Sequence, residues 1–132
     1  MSFLLDTDIC SAHLKQRGKV SARFVQHAGG LHLSTITLGE LYVWALRADA
    51  PSKRLQGLQE MLNDAKILAV TADVAEKFGQ LQAGLLDTGR PAPGMDLMIA
   101  ATALVHDLTL VTHNTQDFVN VRGLRIEDWL DP

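Results

Sequence analysis

A chain of 132 residues, 47% hydrophobic and 20% charged, has the proportions of one soluble globular domain with its own core, and leaves no room for a second. Its apolar runs, such as Leu97–Ala101, fall far short of the roughly 20 residues that cross a bilayer. A formal net charge of -3 argues against a broad basic surface of the kind that holds nucleic acid by neutralising phosphates.

The N-terminus reads Met-Ser-Phe-Leu-Leu-Asp, with no basic start and an acid after only three apolar residues. This is unlike a secretory signal, so the mature protein is expected to begin here. Phe3-Leu4-Leu5 is a short apolar run ending at Asp6, followed by helical sequence from about Ile9 to Gln16. Within it lies Cys10, the single cysteine. It cannot form an internal disulfide, and a reducing cytoplasm is the expected location. Lys15, Arg17, Lys19 and Arg23 crowd the same quarter, as either a basic rim or the solvated faces of two helices.

Val20–His27 reads as a second short helix closed by Gly29-Gly30, and Leu31–Ser34 as a strand. From Thr37 an amphipathic pattern runs toward Pro51, which opens another helix to about Ala65. Ile67–Val70 is a strand candidate and Ala72–Asp87 a helix, with the loop Thr88–Gly94 as the clearest break in the chain. Asp96 opens a helix to about His106 that is apolar nearly all round, as suits an element buried between layers. Leu108–Thr112 is a strand, Thr115–Val119 a helical turn and Leu124–Ile126 a last short strand. Short apolar strands alternating with helices predict an α/β domain of three layers, with a parallel sheet covered on both faces.

Ligands of such sheets bind beyond the carboxyl ends of the strands. Four acids occupy strand or helix ends: Asp6, Glu40, Asp96 and Asp117. Each has a plainer explanation. Asp6 or Asp8 can cap a helix, Thr37-Leu38-Gly39-Glu40 has capping-box spacing, and Asp96 and the Asn114–Asp117 segment also have cap-like positions. Caps, however, need not converge on one crevice. If these acids do converge, like charges about 4 Å apart repel by about 4 kcal/mol at an effective dielectric near 20, so they need raised pKa values or a cation. Oxygen-only ligands, with no His or Cys at ligand spacing, favour Mg²⁺ or Mn²⁺ over Zn²⁺. Setting the four acids aside leaves the remainder of the chain slightly positive. The five histidines are scattered, and His113 is nearest the expected site.

Four ordered motifs carry a resemblance. They are Leu4-Leu5-Asp6-Thr7-Asp8, then Ser34-x-x-Thr37-x-x-Glu40-Leu41, then Gly89-Arg90-Pro91 leading to Asp96-x-x-Ile99-Ala100-Ala101, and finally Thr112-x-Asn114-x-x-Asp117-Phe118. The chain resembles the PIN domain in its VapC-type toxin branch over nearly its whole length. That resemblance implies a PIN fold across residues 1–132, with a parallel sheet of about five strands. It also implies a Mg²⁺-dependent endoribonuclease, with Mn²⁺ as a substitute, whose carboxylates are Asp6, Glu40, Asp96 and Asp117. Thr112 and Asn114 match positions that shape the pocket and orient the acids, and Asp8 is expected to be structural. A homodimer and a cognate VapB-type antitoxin are further implications, with promoter DNA bound only through the antitoxin. Transfer RNA or another structured RNA is the implied substrate class. The chain departs from the pattern at Pro93-Gly94 and at Gln116, where relatives often carry arginine.

The expected chemistry has Asp6 and Asp96 on the metal, with Asp117 direct or through water, and water as the nucleophile, leaving 5′-phosphate and 3′-hydroxyl ends. Trp44, Tyr42 and the apolar helices from Leu38 to Leu62 suit a dimer face, an antitoxin groove or the core itself. Two other readings compete. Asp6-Thr7-Asp8 after an apolar strand also resembles the start of haloacid-dehalogenase-type phosphatases, although Cys10 stands where those carry Thr or Val. A catalytically silent PIN-like binding module, acting through an antitoxin, is the other.

Overall fold

The computed structural model describes residues 1–16 and 19–131. Arg17 of the expected basic cluster lies outside the described residues. Five strands form one all-parallel sheet in the order β3-β2-β1-β4-β5. These are β1 (Phe3–Leu5), β2 (Leu31–Ser34), β3 (Lys66–Leu68), β4 (Thr109–Val111) and β5 (Ile126–Glu127). Six helices connect them: α1 (Thr7–Leu14), α2 (Val20–Gln26), α3 (Thr35–Leu46), α4 (Pro51–Leu62), α5 (Ala72–Asp87) and α6 (Gly94–Val105).

Strand pleating sorts the core into two layers. Phe3 and Leu5 point to one face of β1, where they join Leu31, Leu33, Val111 and the buried faces of α1, α2, α3 and α4. Leu4 points to the other face, where it joins Leu110, Leu97, Ile99, Ala100 and Ala103. Alternate side chains of a strand face opposite sides, so a strand apolar at every position must be covered twice, and β1 is buried throughout. α6 buries Leu97, Ile99, Ala100, Ala101, Thr102 and Ala103, as its nearly continuous apolar surface predicts. Trp129 is 1% exposed; it packs against Phe3, His27 and Phe24, and its indole N–H donates to Glu127 at 3.0 Å. This anchors the C-terminal segment beneath the first layer.

Several element boundaries differ from expectation, each for a local reason. α1 begins at Thr7 rather than Ile9 because Asp6 itself caps it. α3 begins at Thr35 rather than Thr37, since the Ser34 hydroxyl accepts from Ile36 N–H at 3.1 Å. The Thr37–Glu40 capping box therefore does not form. α4 ends at Leu62 rather than about Ala65, and β3 covers Lys66–Leu68 rather than Ile67–Val70. The last strand is Ile126–Glu127, not Leu124–Ile126; the Arg125 carbonyl accepts from Leu110 N–H at 2.9 Å, which sets its register against β4.

The chain moves outward from β1 through β2 to β3, then returns to β4 on the opposite side of β1. The strand order thus reverses between β1 and β4. In open parallel sheets such a reversal leaves a crevice beyond the strand ends. Asp6 follows β1 and Thr112 follows β4, at the two lips of that crevice.

Candidate functional site

Asp6 is held by both lips. Its Oδ1 accepts from Thr7 N–H at 2.8 Å as the N-cap of α1. Its Oδ2 accepts from the Thr112 hydroxyl at 2.9 Å, and its own N–H donates to the Val111 carbonyl at 2.9 Å. The Thr112 oxygen in turn accepts from Asn114 N–H at 3.1 Å, which leaves the hydroxyl proton free to serve Asp6. The cap reading of Asp6 is therefore correct and incomplete, since one oxygen caps and the other is tied across the sheet.

Burial is the main force on this carboxyl, which is 6% exposed. Burial and then the neighbouring Asp8 charge raise its pKa to about 6, against the opposing bonds from Thr7 and Thr112. Asp8 sits in the first turn of α1, where Oδ2 accepts from His113 N–H at 3.0 Å. Its other oxygen is buried and has no hydrogen-bond partner among the described residues. Burial again lifts the pKa, with the His113 N–H bond pulling the other way.

Glu40 arrives from α3, and its Oε1 accepts from the Thr7 hydroxyl at 2.6 Å. Asp96 lies in the first turn of α6, but the N-cap is Pro93, so the expectation that Asp96 opens and caps its helix is corrected. Proline has no N–H to satisfy, and its extended backbone starts the helix two residues ahead of the acid. The half-buried Asp96 carboxyl is shifted upward by burial, then by the charges of Asp117, Glu40 and Asp8. Asp117 is exposed, in a 3-10 turn at Thr115–Phe118. Asn114 caps that turn without a side-chain bond; its contribution here is the backbone N–H to Thr112.

The four acids singled out in the sequence come from four separate segments, and Asp96 links them: beyond burial, the charges of Asp117 and Glu40 raise its pKa, and its own charge adds to the burial that raises that of Asp6. Asp8 belongs with them, although sequence reasoning set it aside as structural. It is structural, as the anchor of His113, and it is also a source of the field at Asp6 and Asp96. Thr7 was missed altogether. Its only signal was a hydroxyl between two aspartates at a strand end. His113 turns its ring to Asp128, with Nδ1 2.9 Å from Oδ2. That hydrogen bond, then the Asp128 charge, raises the His113 pKa.

Among the described residues no three His, Cys, Asp or Glu side chains close into a ready-made metal cluster. The residues nonetheless fit a small divalent cation. Their donors are all oxygen, their charges repel, and Asp8 offers a buried oxygen without a partner among the described residues. A hard ion that keeps several waters, binding through one or two carboxylates and the substrate's phosphate, suits acids that sense one another without touching. Beside the acids lies a crevice of about 700 Å³ lined by Thr7, Glu40, Val43, Trp44, Arg47 and Arg54. A second cleft, about 730 Å³, runs along α5 past Arg90 and Arg122. It contains none of the acids, so chemistry rather than volume locates the site.

The PIN domain family profile matches residues 3–124. A tRNA(fMet)-specific endonuclease VapC of Shigella flexneri is 36% identical over 130 residues, 98% of each chain. Ribonuclease VapC2 of Haemophilus influenzae is 33% identical over 131 residues, 98% of this chain and 99% of the relative. Among solved structures, DNA-bound VapBC from Salmonella typhimurium superposes with a TM-score of 0.91 at 32% identity, covering 98% of each chain. VapBC2 from Rickettsia felis, bound to a DNA fragment from its promoter, gives 0.89 at 26% identity over 98% of this chain and 99% of that one. No described helix is long and apolar enough to cross a membrane.

Proposed function

Because this chain belongs to the PIN-domain family, in its VapC-type branch, we propose that it is a divalent-metal-dependent endoribonuclease and the toxin of a toxin–antitoxin pair. The observation that carries this reading is the gathering of acids at the strand ends, where Thr112 holds Asp6, His113 N–H holds Asp8 and Thr7 holds Glu40, with Asp96 near enough that, beyond burial, the charges of Asp117, Glu40 and Asp8 raise its pKa. A scaffold has no reason to bury and crowd such groups. This weighs against a silent binding module. The metal assigned is Mg²⁺, with Mn²⁺ as substitute, and the substrate class is transfer RNA or another structured RNA, as the names of the relatives suggest.

Asp6, Asp96 and Asp117 would hold the ion, which lowers the pKa of bound water and stabilises charge developing on the phosphate. The chain's own groups do the remainder. Thr112 fixes one Asp6 oxygen and Thr7 N–H the other, so the carboxylate cannot rotate. Thr7 directs Glu40, whose second oxygen stays available to accept a proton from an attacking water. Asp6, with a pKa of about 6, ionises fully only above neutrality unless a cation draws its proton off.

Two partners belong to the reading: an antitoxin of the VapB type, because the matched structures are toxin–antitoxin complexes, and a second copy of the chain. Promoter DNA would be bound through the antitoxin. A cytoplasmic location follows from the substrate. The test is to map cleavage ends in total RNA exposed to wild type and to Asp96→Asn. The expected outcome is 5′-phosphate and 3′-hydroxyl ends from wild type and none from the variant. Ends bearing 2′,3′-cyclic phosphate would mean attack by the ribose hydroxyl and would defeat the scheme.

A further inference from the structure

The crevice beside Glu40 has a composition that the acid chemistry does not require. Glu40, Val43 and Trp44 line it from α3, Arg47 from the cap at the C-terminal end of that helix, and Arg54 from α4. The first four are spaced i, i+3, i+4 and i+7, and the helical backbone of the Arg47 cap continues the stripe of a single helix face. The Arg54 guanidinium carbon lies 4.8 Å from the centroid of the Trp44 ring, and Nη1 donates to the Trp44 carbonyl at 2.9 Å. That bond ties the guanidinium to the Trp44 backbone, beside the indole. Among the described residues no carboxylate pairs with either Arg47 or Arg54. Both cations are exposed.

A site built of carboxylates repels a polyanion, and the net charge of the chain is negative. Cations at the mouth of that site offset the repulsion locally. An aromatic ring paired with a guanidinium offers what unpaired bases stack on, whereas a base inside a duplex is already stacked and cannot reach it. We infer that Trp44 and Arg54 form a stacking platform for an unpaired base of the RNA strand entering the crevice, and that Arg47 binds the adjoining phosphate. The inference rests on the ribonuclease reading and adds to it where the strand lies and why it must be single-stranded there. A protein partner covering the same face is the competing occupant. The two cations without a carboxylate partner among the described residues, and the direct continuity with Glu40 and Thr7, favour the nucleic acid.

The test uses the chain with Mg²⁺ and labelled total transfer RNA, whose loops present unpaired bases. Trp44→Ala should raise the apparent KM about tenfold with kcat within about threefold of wild type, and Trp44→Phe should recover most of the loss. Arg47→Gln, a surface change that does not threaten folding, should reduce the slope of log KM against log salt by about 0.7, as expected for one lost phosphate contact with a single strand. If Trp44→Ala leaves KM within twofold of wild type, and the salt slope of Arg47→Gln is unchanged, the proposal is overturned. It is also overturned if Trp44→Ala alters only self-association in sedimentation. A wild-type chain that cuts no RNA would strike at the ribonuclease reading itself, whereas normal cutting by all three variants would remove the platform alone.

Discussion

The Thr112 hydroxyl donates to Asp6 Oδ2 at 2.9 Å, linking the residues that follow β1 and β4, the two strands between which the strand order reverses. Thr112→Val keeps the shape and removes the donor. It leaves the Asp6 oxygen and Asn114 N–H without their partner, which should cost about 2 kcal/mol at pH 8, where Asp6 is ionised. The cost should shrink at pH 5, because the protonated carboxyl no longer buries an unsatisfied charge. Denaturant unfolding at the two pH values measures both.

Thr7 makes the second link, to Glu40 at 2.6 Å. Thr7→Val should let Glu40 swing away and lower kcat about tenfold, less than the roughly hundredfold or more of a general base removed outright, because the carboxylate is misdirected rather than deleted, with KM nearly unchanged. Thr7→Ser should restore it. A Thr7→Val variant with wild-type kcat would remove Glu40 from the proton-transfer role.

The sheet and its helices were largely legible because β1, β2 and α5 announce themselves by apolar runs and clear stops. The errors cluster where one residue serves two elements. Asp6 directly follows one strand and Ser34 ends another, and each caps the helix after it, so pattern alone placed α1 and α3 two residues late. β3 and β5 sit at the edges, with partly exposed side chains, and periodicity is weak there. The four acids could be named from position and resemblance. Their geometry could not, because the Thr7–Glu40 and Thr112–Asp6 bonds link distant stretches of chain, and no local pattern encodes a hydroxyl's tertiary partner. Asp8 was undervalued for the same reason.

Metal-free stability should depend on pH through Asp6. Its folded-state pKa of about 6 lies above the ordinary 3.8, so the native state binds the proton more tightly. The stabilisation is complete below about pH 4 and is lost as pH rises through 6, a difference of up to about 3 kcal/mol from this group. Asp6→Asn should therefore lack this dependence and melt higher than metal-free wild type at pH 7.5, while losing cleavage. A variant that melts lower at that pH, with the pH dependence intact, would show that Asp6 is not the group under strain.

Saturating Mg²⁺ should reverse that order of stability, because an ion that binds only the folded state stabilises it in proportion to its occupancy. Thermal melts of wild type and Asp6→Asn, with the ion and with chelator, read this directly. Equal shifts in both proteins would place the ion elsewhere.

The most direct measurement is calorimetric titration of Mn²⁺ into metal-free protein at pH 6, repeated in buffers of different ionisation enthalpy. The account predicts saturable binding that displaces roughly half a proton per ion from Asp6, and loss of that binding in Asp96→Asn. Absence of binding at millimolar Mn²⁺, or binding unaffected by Asp96→Asn, would contradict the claim that these acids are gathered to hold a cation.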